Sequence, residues 1–286
     1  MSLHWGRRYV MCDSLHYGVL YEINPWMHRE VPADPDRSRE QWEALFATLR
    51  DVGATVETID AVEDLPDMVF TANAGIVDGD RFIVSRFRHP ERSGEEKHFA
   101  SWFAEHGATV TTFEDLGDHR PDPHTEPPFF EGAGDALPFA ERLLAGYAIR
   151  SDFDAHTALA AHLGIEVLSV QLTDPRFYHL DLTFCPLSDR HALIVPEAWD
   201  AYGRDVVSNL VPEPIVLEPD EALAFCANSV VVDTAIVMPS CTPRLGRELE
   251  RIGLEPVVSS VDEFLKAGGG VRCLTLALDV SLARRN

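Results

Sequence analysis

The chain has 286 residues, 45% apolar and 9% aromatic, enough for one large core or two ordinary ones, and no apolar stretch approaches the length of a membrane span. Forty-seven acidic residues against 24 basic ones give a formal net charge of −23. That charge is spread along the chain, which makes nucleic acid a poor partner and leaves solubility, or attraction of small cations, as its meaning. The five cysteines, Cys12, Cys185, Cys226, Cys241 and Cys273, are far apart with no CxxC pair, so neither a disulfide framework nor a zinc ribbon is expected. The opening stretch "MSLHWGRRYVMCDSLHYG" has basic residues but no apolar run or cleavage site of an export signal, which favours the cytoplasm.

In chain order, "SREQWEALFATLRDVGATVETI" has helical spacing, a glycine at Gly53 and then a short strand. "VFTANAGIVDGDRFIVSRF" reads as a β-hairpin turning at Asp78-Gly79-Asp80. A helix follows in "EEKHFASWFAEHGATVTTF", with Gly107 where a C-terminal cap is expected. The proline-rich acidic stretch from Asp115 to Pro128 reads as a mobile surface insert near the rim of a site. "FFEGAGDALPFAERLLAGYAIR" is a second hairpin, turning between Pro138 and Glu141, and "DAHTALAAHLGIEVLSVQL" repeats the helix, glycine (Gly164) and strand. "FYHLDLTFCPLSDRHALIVPEAW" is a third hairpin with its turn at Ser188 to Arg190, after which the helical segment is missing from the pattern. "FCANSVVVDTAIVMPS" turns at Asp233-Thr234, and "RLGRELERIGLEPVVS" closes the series with Gly253.

Four hairpins thus begin alike, and the first helix lacks a complete one. The last apolar run, "VRCLTLALDV", supplies a strand for it. The expectation is one domain over residues 1–286, an α/β ring of about five ββαβ modules with five-fold pseudosymmetry. The start of each hairpin would face a common centre, bringing together Asn73, the Glu131 to Asp135 stretch, His179 to Asp181, Cys226 to Asn228, and Cys273. A pair of ordinary α/β domains with unrelated loops is the alternative.

The residue types at that centre suggest chemistry. Glu131 and Asp135 flank glycines and can present carboxylates to a cation. His179 and Asp181, two apart, face the same side if they lie in a strand, and a carboxylate beside an imidazole orients it and raises its basicity. Cys273 adds a thiol. A thiol, an oriented base and cation-binding carboxylates suit attack on a guanidinium or amide carbon. The remaining histidines form no HExxH or similar metal spacing.

The motifs "YEINPWM", "LPDMVFTANAGIV", "SRFRHPERSGEE", "FFEGAGDAL", "GYAIRSD", "FYHLDLTFCPL" and "FLKAGGGVRCLTL" cover nearly the whole chain. Through them the sequence resembles the guanidine-modifying enzymes of the pentein fold: arginine deiminases, dimethylargininases, amidinotransferases and, closest, arginine dihydrolases. The resemblance implies a five-fold pseudosymmetric α/β propeller with Cys273 as nucleophile, His179 as general acid and base, and Glu131 as its acidic partner. It implies that Asp181, Asn73, Asn24 and Asp67 contact the substrate, with Asp67 inside the "LPDMVF" motif, and that Arg86 and Arg150 hold the substrate α-carboxylate. Asn73 stands where deiminases carry an aspartate, and an amide offers both a donor and an acceptor. Hydrolysis of free arginine to ornithine or to citrulline is the implied activity, with release of methylamines from methylated arginine or amidino transfer as alternatives within the family. A non-catalytic ring that binds an amino acid is the alternative outside it. The implied partner is a small cationic guanidino amino acid, with no metal or organic cofactor, no nucleic acid and no membrane; a homo-oligomer is compatible with the sequence.

Overall fold

The computed structural model describes residues 3–122 and 124–282, so the insert at 115–128 is described except for residue 123. It is a mixed α/β fold whose strands form five three-stranded sheets. Each sheet has the same construction: an antiparallel pair, then a helix, then a third strand parallel to the second.

The first sheet joins the two ends of the chain. β1 (Arg8–Cys12) runs parallel to β2 (Thr55–Ile59) after α1 (Pro35–Asp51), and the last strand, Leu276–Ala277, pairs antiparallel with β1 through Tyr9 opposite Ala277. The strand missing from the N-terminal module is therefore the C-terminal one. The second sheet is β3 (Gly75–Asp78), β4 (Arg81–Val84) and β5 (Thr109–Thr111), with α2 (Glu96–Glu105) between the last two. The third is β6 (Ala136–Phe139), β7 (Arg142–Tyr147) and β8 (Val167–Gln171), with α3 (Phe153–Leu163). The fourth is β9 (Phe184–Pro186), β10 (His191–Ile194) and β11 (Glu213–Val216), with α4 (Ala201–Leu210). The fifth is β12 (Val230–Val232), β13 (Ala235–Met238) and β14 (Glu255–Val258), with α5 (Pro243–Arg251), and Leu276–Ala277 is β15.

The third hairpin thus does have its helix, contrary to the sequence pattern. Asp200 caps α4 by accepting from the Gly203 N–H at 2.8 Å. Its other end passes into extended Val211 with no glycine, so the stop signal carried by the other four helices is absent. Those four each end near a glycine with positive φ: Gly53, Gly107, Gly164 and Gly253. The hairpin turns fall where the sequence puts them; Asp78 pairs with Arg81 and Val232 with Ala235 across their two-residue loops.

The strands of the antiparallel pairs are buried along most of their length, as in β12 and β13 where only Ala235 is partly exposed. They therefore read as near-continuous apolar runs, with α-helices covering their flanks. The largest apolar cluster runs from Tyr9 and Trp42 through Phe139, Phe184 and Phe225 to Phe264 and Leu274, so side chains from the first, third, fourth and fifth modules share one core. Among the described residues no helix is long and apolar enough to cross a membrane.

Candidate functional site

The residues singled out at the centre occupy equivalent places, each a few positions ahead of the first strand of its hairpin. Asn73 precedes β3, Glu131 precedes β6, His179 and Asp181 precede β9, Asn228 precedes β12, and Cys273 precedes β15. All six are 2% exposed or less. They also touch one another in chain order. The Asn73 side-chain nitrogen lies 3.5 Å from the Glu131 carbonyl oxygen, Glu131 binds His179, the Asn228 amide donates to the Asp181 carbonyl at 3.3 Å, and Asn228 binds Cys273. The Cys273 carbonyl in turn accepts from the N–H of Ala72, next to Asn73, at 3.1 Å.

Cys273 lies in a turn over residues 271–274 rather than at the start of a strand. Its thiol faces Asp181 Oδ2 at 3.3 Å, and the Asn228 Nδ2 donates to Sγ at 3.1 Å. Burial, reinforced by the Asp181 carboxylate, pushes the thiol well above its ordinary range, so Cys273 is protonated in the unliganded protein. The three glycines before it are required by close approach. A Cβ on Gly269 would stand 2.2 Å from the Phe70 ring, and one on Gly270 2.7 Å from Asn228 Oδ1. Gly268 has φ +82°, which a side chain rarely tolerates.

His179 is extended and is followed by a 3₁₀ turn over Leu180–Leu182, so His179 and Asp181 are not alternate residues of one strand. The turn sends them to different partners. His179 Nε2 meets Glu131 Oε2 at 2.7 Å, whereas Asp181 goes to Cys273. The carboxylate that orients the imidazole is thus Glu131, as the resemblance implies, and the pairing of His179 with Asp181 read from their spacing is corrected. Burial opposes ionisation of Glu131, but the Arg150 guanidinium at 2.9 Å and the His179 hydrogen bond outweigh it and hold the carboxyl well below the usual range. An ionised carboxylate only accepts, so His179 carries its proton on Nε2 and leaves Nδ1 as the basic nitrogen. Burial lowers the His179 pKa to about 4, so the ring is neutral near pH 7. Asp135 accepts from the Leu180 N–H at 3.1 Å and from Ser151 Oγ, and Ser151 Oγ accepts from the Glu131 N–H at 3.0 Å. Asp135 therefore locks the segments that carry His179 and Glu131.

Asp67 and Asp181 are 2% and 0% exposed, and each keeps one oxygen, Oδ1, without a hydrogen-bond partner among the described residues. Burial raises both carboxyls, that of Asp181 to about 7. Two buried carboxylates with vacant acceptor positions are what a guanidinium, with five N–H donors, would satisfy.

Asn73 Oδ1 accepts from Arg92 at 2.9 Å. Arginine only donates, so this bond fixes the amide with its NH₂ turned the other way. The acceptor half of Asn73 is committed to Arg92, and the donor half is what it offers the centre. Arg92 is itself 2% exposed, chelated by Glu95 at 2.8 Å on two nitrogens, and it also donates to the Asp67 carbonyl at 3.1 Å. Sequence reasoning missed Arg92 and Glu95. Their three-residue spacing in "SRFRHPERSGEE" was the available signal.

The other expected residues are placed differently. Arg150, expected at an α-carboxylate, is bound to Glu131 and to the Ile23 carbonyl at 3.1 Å, with its guanidinium 4.6 Å from the Tyr178 ring centroid. Arg86 sits at the rim, donating to the Pro127 carbonyl at 2.6 Å with Glu114 and Glu126 within 3.6 Å, so it engages the insert rather than the buried centre. Asn24 donates to the Ala267 carbonyl at 2.9 Å and accepts from the Trp26 N–H, and Trp26 Nε1 donates to the Arg176 carbonyl at 2.8 Å. The segment from Ile23 to Trp26 is thereby strapped over the glycine turn and the residues before His179. Cys12, Cys185 and Cys226 are buried and Cys241 is half-buried, all as free thiols. Among the described residues no group of three or more His, Cys, Asp or Glu side chains could hold a metal ion.

Known proteins are similar to this chain in sequence and in fold. The family described as N,N dimethylarginine dimethylhydrolase, eukaryotic, matches residues 24–280. The chain is 42% identical over 274 residues to the bifunctional arginine dihydrolase/ornithine cyclodeaminase AgrE of a Nostoc species, an alignment covering 94% of this chain and 37% of AgrE. It is 38% identical to the N(G),N(G)-dimethylarginine dimethylaminohydrolase of Mycobacterium tuberculosis, over 95% of this chain and 86% of that protein. Among solved structures, the substrate-bound N-terminal domain of the cyanobacterial arginine dihydrolase ArgZ, in a mutant form, superposes with a TM-score of 0.87 at 40% identity, covering 95% of this chain and 97% of the other. The chain spans 37% of the length of the bifunctional relatives. Matched over most of its length in sequence and in fold, this chain belongs to the dimethylarginine dimethylhydrolase family, alongside the dihydrolase domains of AgrE and ArgZ.

Proposed function

We propose that residues 1–286 form one catalytic domain, closed into a five-module propeller, that hydrolyses the guanidinium group of free arginine through a thiouronium attached to Cys273. The circuit of contacts from Asn73 through Glu131, His179, Asp181 and Asn228 back to Cys273 and Ala72 supports closure.

The observation that carries the reading is the pair of buried, half-vacant carboxylates, Asp67 and Asp181, the second of which faces the thiol at 3.3 Å. A guanidinium seated between them compensates both charges and draws the Cys273 proton off toward the neutral imidazole of His179. The thiolate attacks the central carbon, and His179 returns the proton to the departing nitrogen, which leaves as ammonia. His179 then takes a proton from water as it adds to the thiouronium, and the C–S bond breaks to give a ureido product. Asn73, presenting only donors, suits the oxygen of that product better than a second cation. This favours retention of citrulline and a second hydrolysis to ornithine, ammonia and carbon dioxide. The substrate is a small cationic amino acid, and the acidic surface draws it in. Cytoplasmic placement belongs to the same reading.

The deciding experiment incubates the protein with arginine, citrulline and asymmetric dimethylarginine and quantifies ornithine, citrulline, ammonia and dimethylamine, beside Cys273→Ala. Ornithine from both arginine and citrulline is the expected result. A reaction that stops at citrulline removes the second step, and consumption of dimethylarginine alone moves the substrate to the methylated class named by the family description. Full activity in Cys273→Ala removes the nucleophile.

A further inference from the structure

Next to Cys273 in the chain, Arg272 is 5% exposed, with its guanidinium carbon 5.7 Å from the Trp5 ring centroid. Among the described residues no carboxylate lies within ion-pair distance of it. Among the described residues its guanidinium makes one hydrogen bond, a long contact from NH2 to the Cys185 sulfur at 3.7 Å, and its Nε has no partner there. Burial raises the Cys185 thiol, which points to the Ser229 carbonyl at 3.2 Å, so this sulfur is neutral and does not serve as a counterion. A buried cation without a counterion is costly.

A second unsatisfied donor lies close by. The Tyr9 hydroxyl is buried and has no partner among the described residues. Arg272 and Tyr9 both line a cavity of about 30 Å³ whose remaining wall is mostly apolar, including Ile76, Leu137, Leu143 and Val280. That volume holds one or two water-sized occupants. A neighbouring cavity of about 70 Å³ shares Trp5, Pro138 and Leu282 with it and is lined also by Glu141 and Asp189 at the surface. Asp279, the carboxylate whose charge acts on Tyr9, accepts from the Gly6 and Arg7 N–H groups at 3.0 and 2.9 Å.

We propose that this cavity is a binding site for a small, weakly hydrated monovalent anion of the chloride class, held by Arg272 Nε and the Tyr9 hydroxyl. Arg272 can only donate and the Tyr9 hydroxyl can donate too, the wall is too apolar for a strongly hydrated divalent anion, and the space excludes anything larger. The site is one residue from Cys273, and Arg272 also acts on Asp181 through its charge. An anion here tempers the positive field behind the thiol and ties the glycine turn to β1.

Bromide is the probe. Crystals grown with sodium bromide should show an anomalous peak within hydrogen-bond distance of Arg272 Nε and the Tyr9 hydroxyl. In solution, replacing sodium gluconate with sodium chloride at constant ionic strength should raise Tm by about 2–4 °C, and Tyr9→Phe and Arg272→Met should each abolish that rise. If Arg272→Met does not fold, Tyr9→Phe alone decides the solution test. Density in the cavity without anomalous signal, a Tm indifferent to the anion, or a chloride effect that survives Tyr9→Phe each overturns the site. None of these readouts depends on which guanidine the enzyme consumes.

Discussion

Asn228 grips Cys273 from both sides: its Oδ1 accepts from the Cys273 N–H at 3.1 Å and its Nδ2 donates to Sγ at 3.1 Å. One planar amide therefore sets both the backbone and the sulfur of the nucleophile. Asn228→Ala should reduce kcat by about 10²-fold through misplacement of the thiol and cost about 1–3 kcal/mol for the orphaned N–H. Asn228→Asp restores the acceptor but puts a second negative charge on the sulfur. It should recover stability, measured by urea unfolding, without recovering activity.

Glu131 serves His179 and Arg150 with the same oxygen. Glu131→Gln keeps the shape but removes the charge that outweighs burial. The imidazole loses its fixed tautomer, and kcat should fall about 10²- to 10⁴-fold. The Arg150 guanidinium, buried without compensation, should cost about 3–5 kcal/mol of stability. An active, fully stable Glu131→Gln protein would show that the buried triad is not needed.

The Asp181 carboxyl rises from 3.8 to about 7 on folding, chiefly by burial. Folding thus favours its protonated form, so this contribution to stability is fully present below about pH 4 and is lost as pH rises through 7. Glu95, also raised to about 7, acts in the same direction, while His179, lowered to about 4, contributes above 6.5 and loses that contribution as pH falls through 4. Asp181→Asn removes only the first of these. Relative to wild type it should gain on the order of 4 kcal/mol between pH 4 and pH 8, read as the difference between two urea-unfolding series. A pH-independent difference would refute the raised carboxyl.

Thiol labelling separates Cys273 from the other cysteines. Burial and the Asp181 carboxylate keep Cys273 protonated, and it is 2% exposed, whereas Cys241 is half-buried and its thiol is raised less completely. Iodoacetamide at pH 8 should modify the Cys241 peptide first, followed by mass spectrometry, with Cys273 lagging at least tenfold. Equal rates would mean that the strap over the site does not exclude reagents.

Gly269→Ala would drive a methyl group into the Phe70 ring, 2.2 Å from its Cε1. Overpacking of this kind costs about 1–3 kcal/mol. The turn must shift to relieve it, so activity should drop while Cys273 remains chemically intact, as a thiol titration in denaturant would verify.

Much of this molecule was legible in the sequence. Apolar runs on either side of Asp78-Gly79-Asp80 and Asp233-Thr234 marked hairpins because two short apolar runs joined by a tight polar turn have few other readings. Four of the module helices announced their ends with a glycine; α4, which ends at Val211, did not. Asn73, Glu131, His179, Asp181 and Cys273 stood out because each interrupts an apolar context at the same place in its module. Arg92 did not stand out, because a charged residue in a polar stretch reads as solvated until its burial is known; Arg272, in the apolar run "VRCLTLALDV", was passed over beside Cys273.

Sequence by itself determined the modular order, the chemical types brought to the centre, and the pairing of the chain's two ends, since these follow from local periodicity and from which strand lacks a partner. Tertiary structure decided who binds whom. It gave His179 to Glu131 rather than Asp181, turned the Asn73 oxygen to Arg92, sent Arg86 to the insert, and left Asp67, Asp181 and Arg272 with unfilled polar atoms. Such pairings depend on three-dimensional proximity between groups up to about a hundred residues apart and on the removal of water, which makes each buried donor or acceptor find a partner or wait for a ligand.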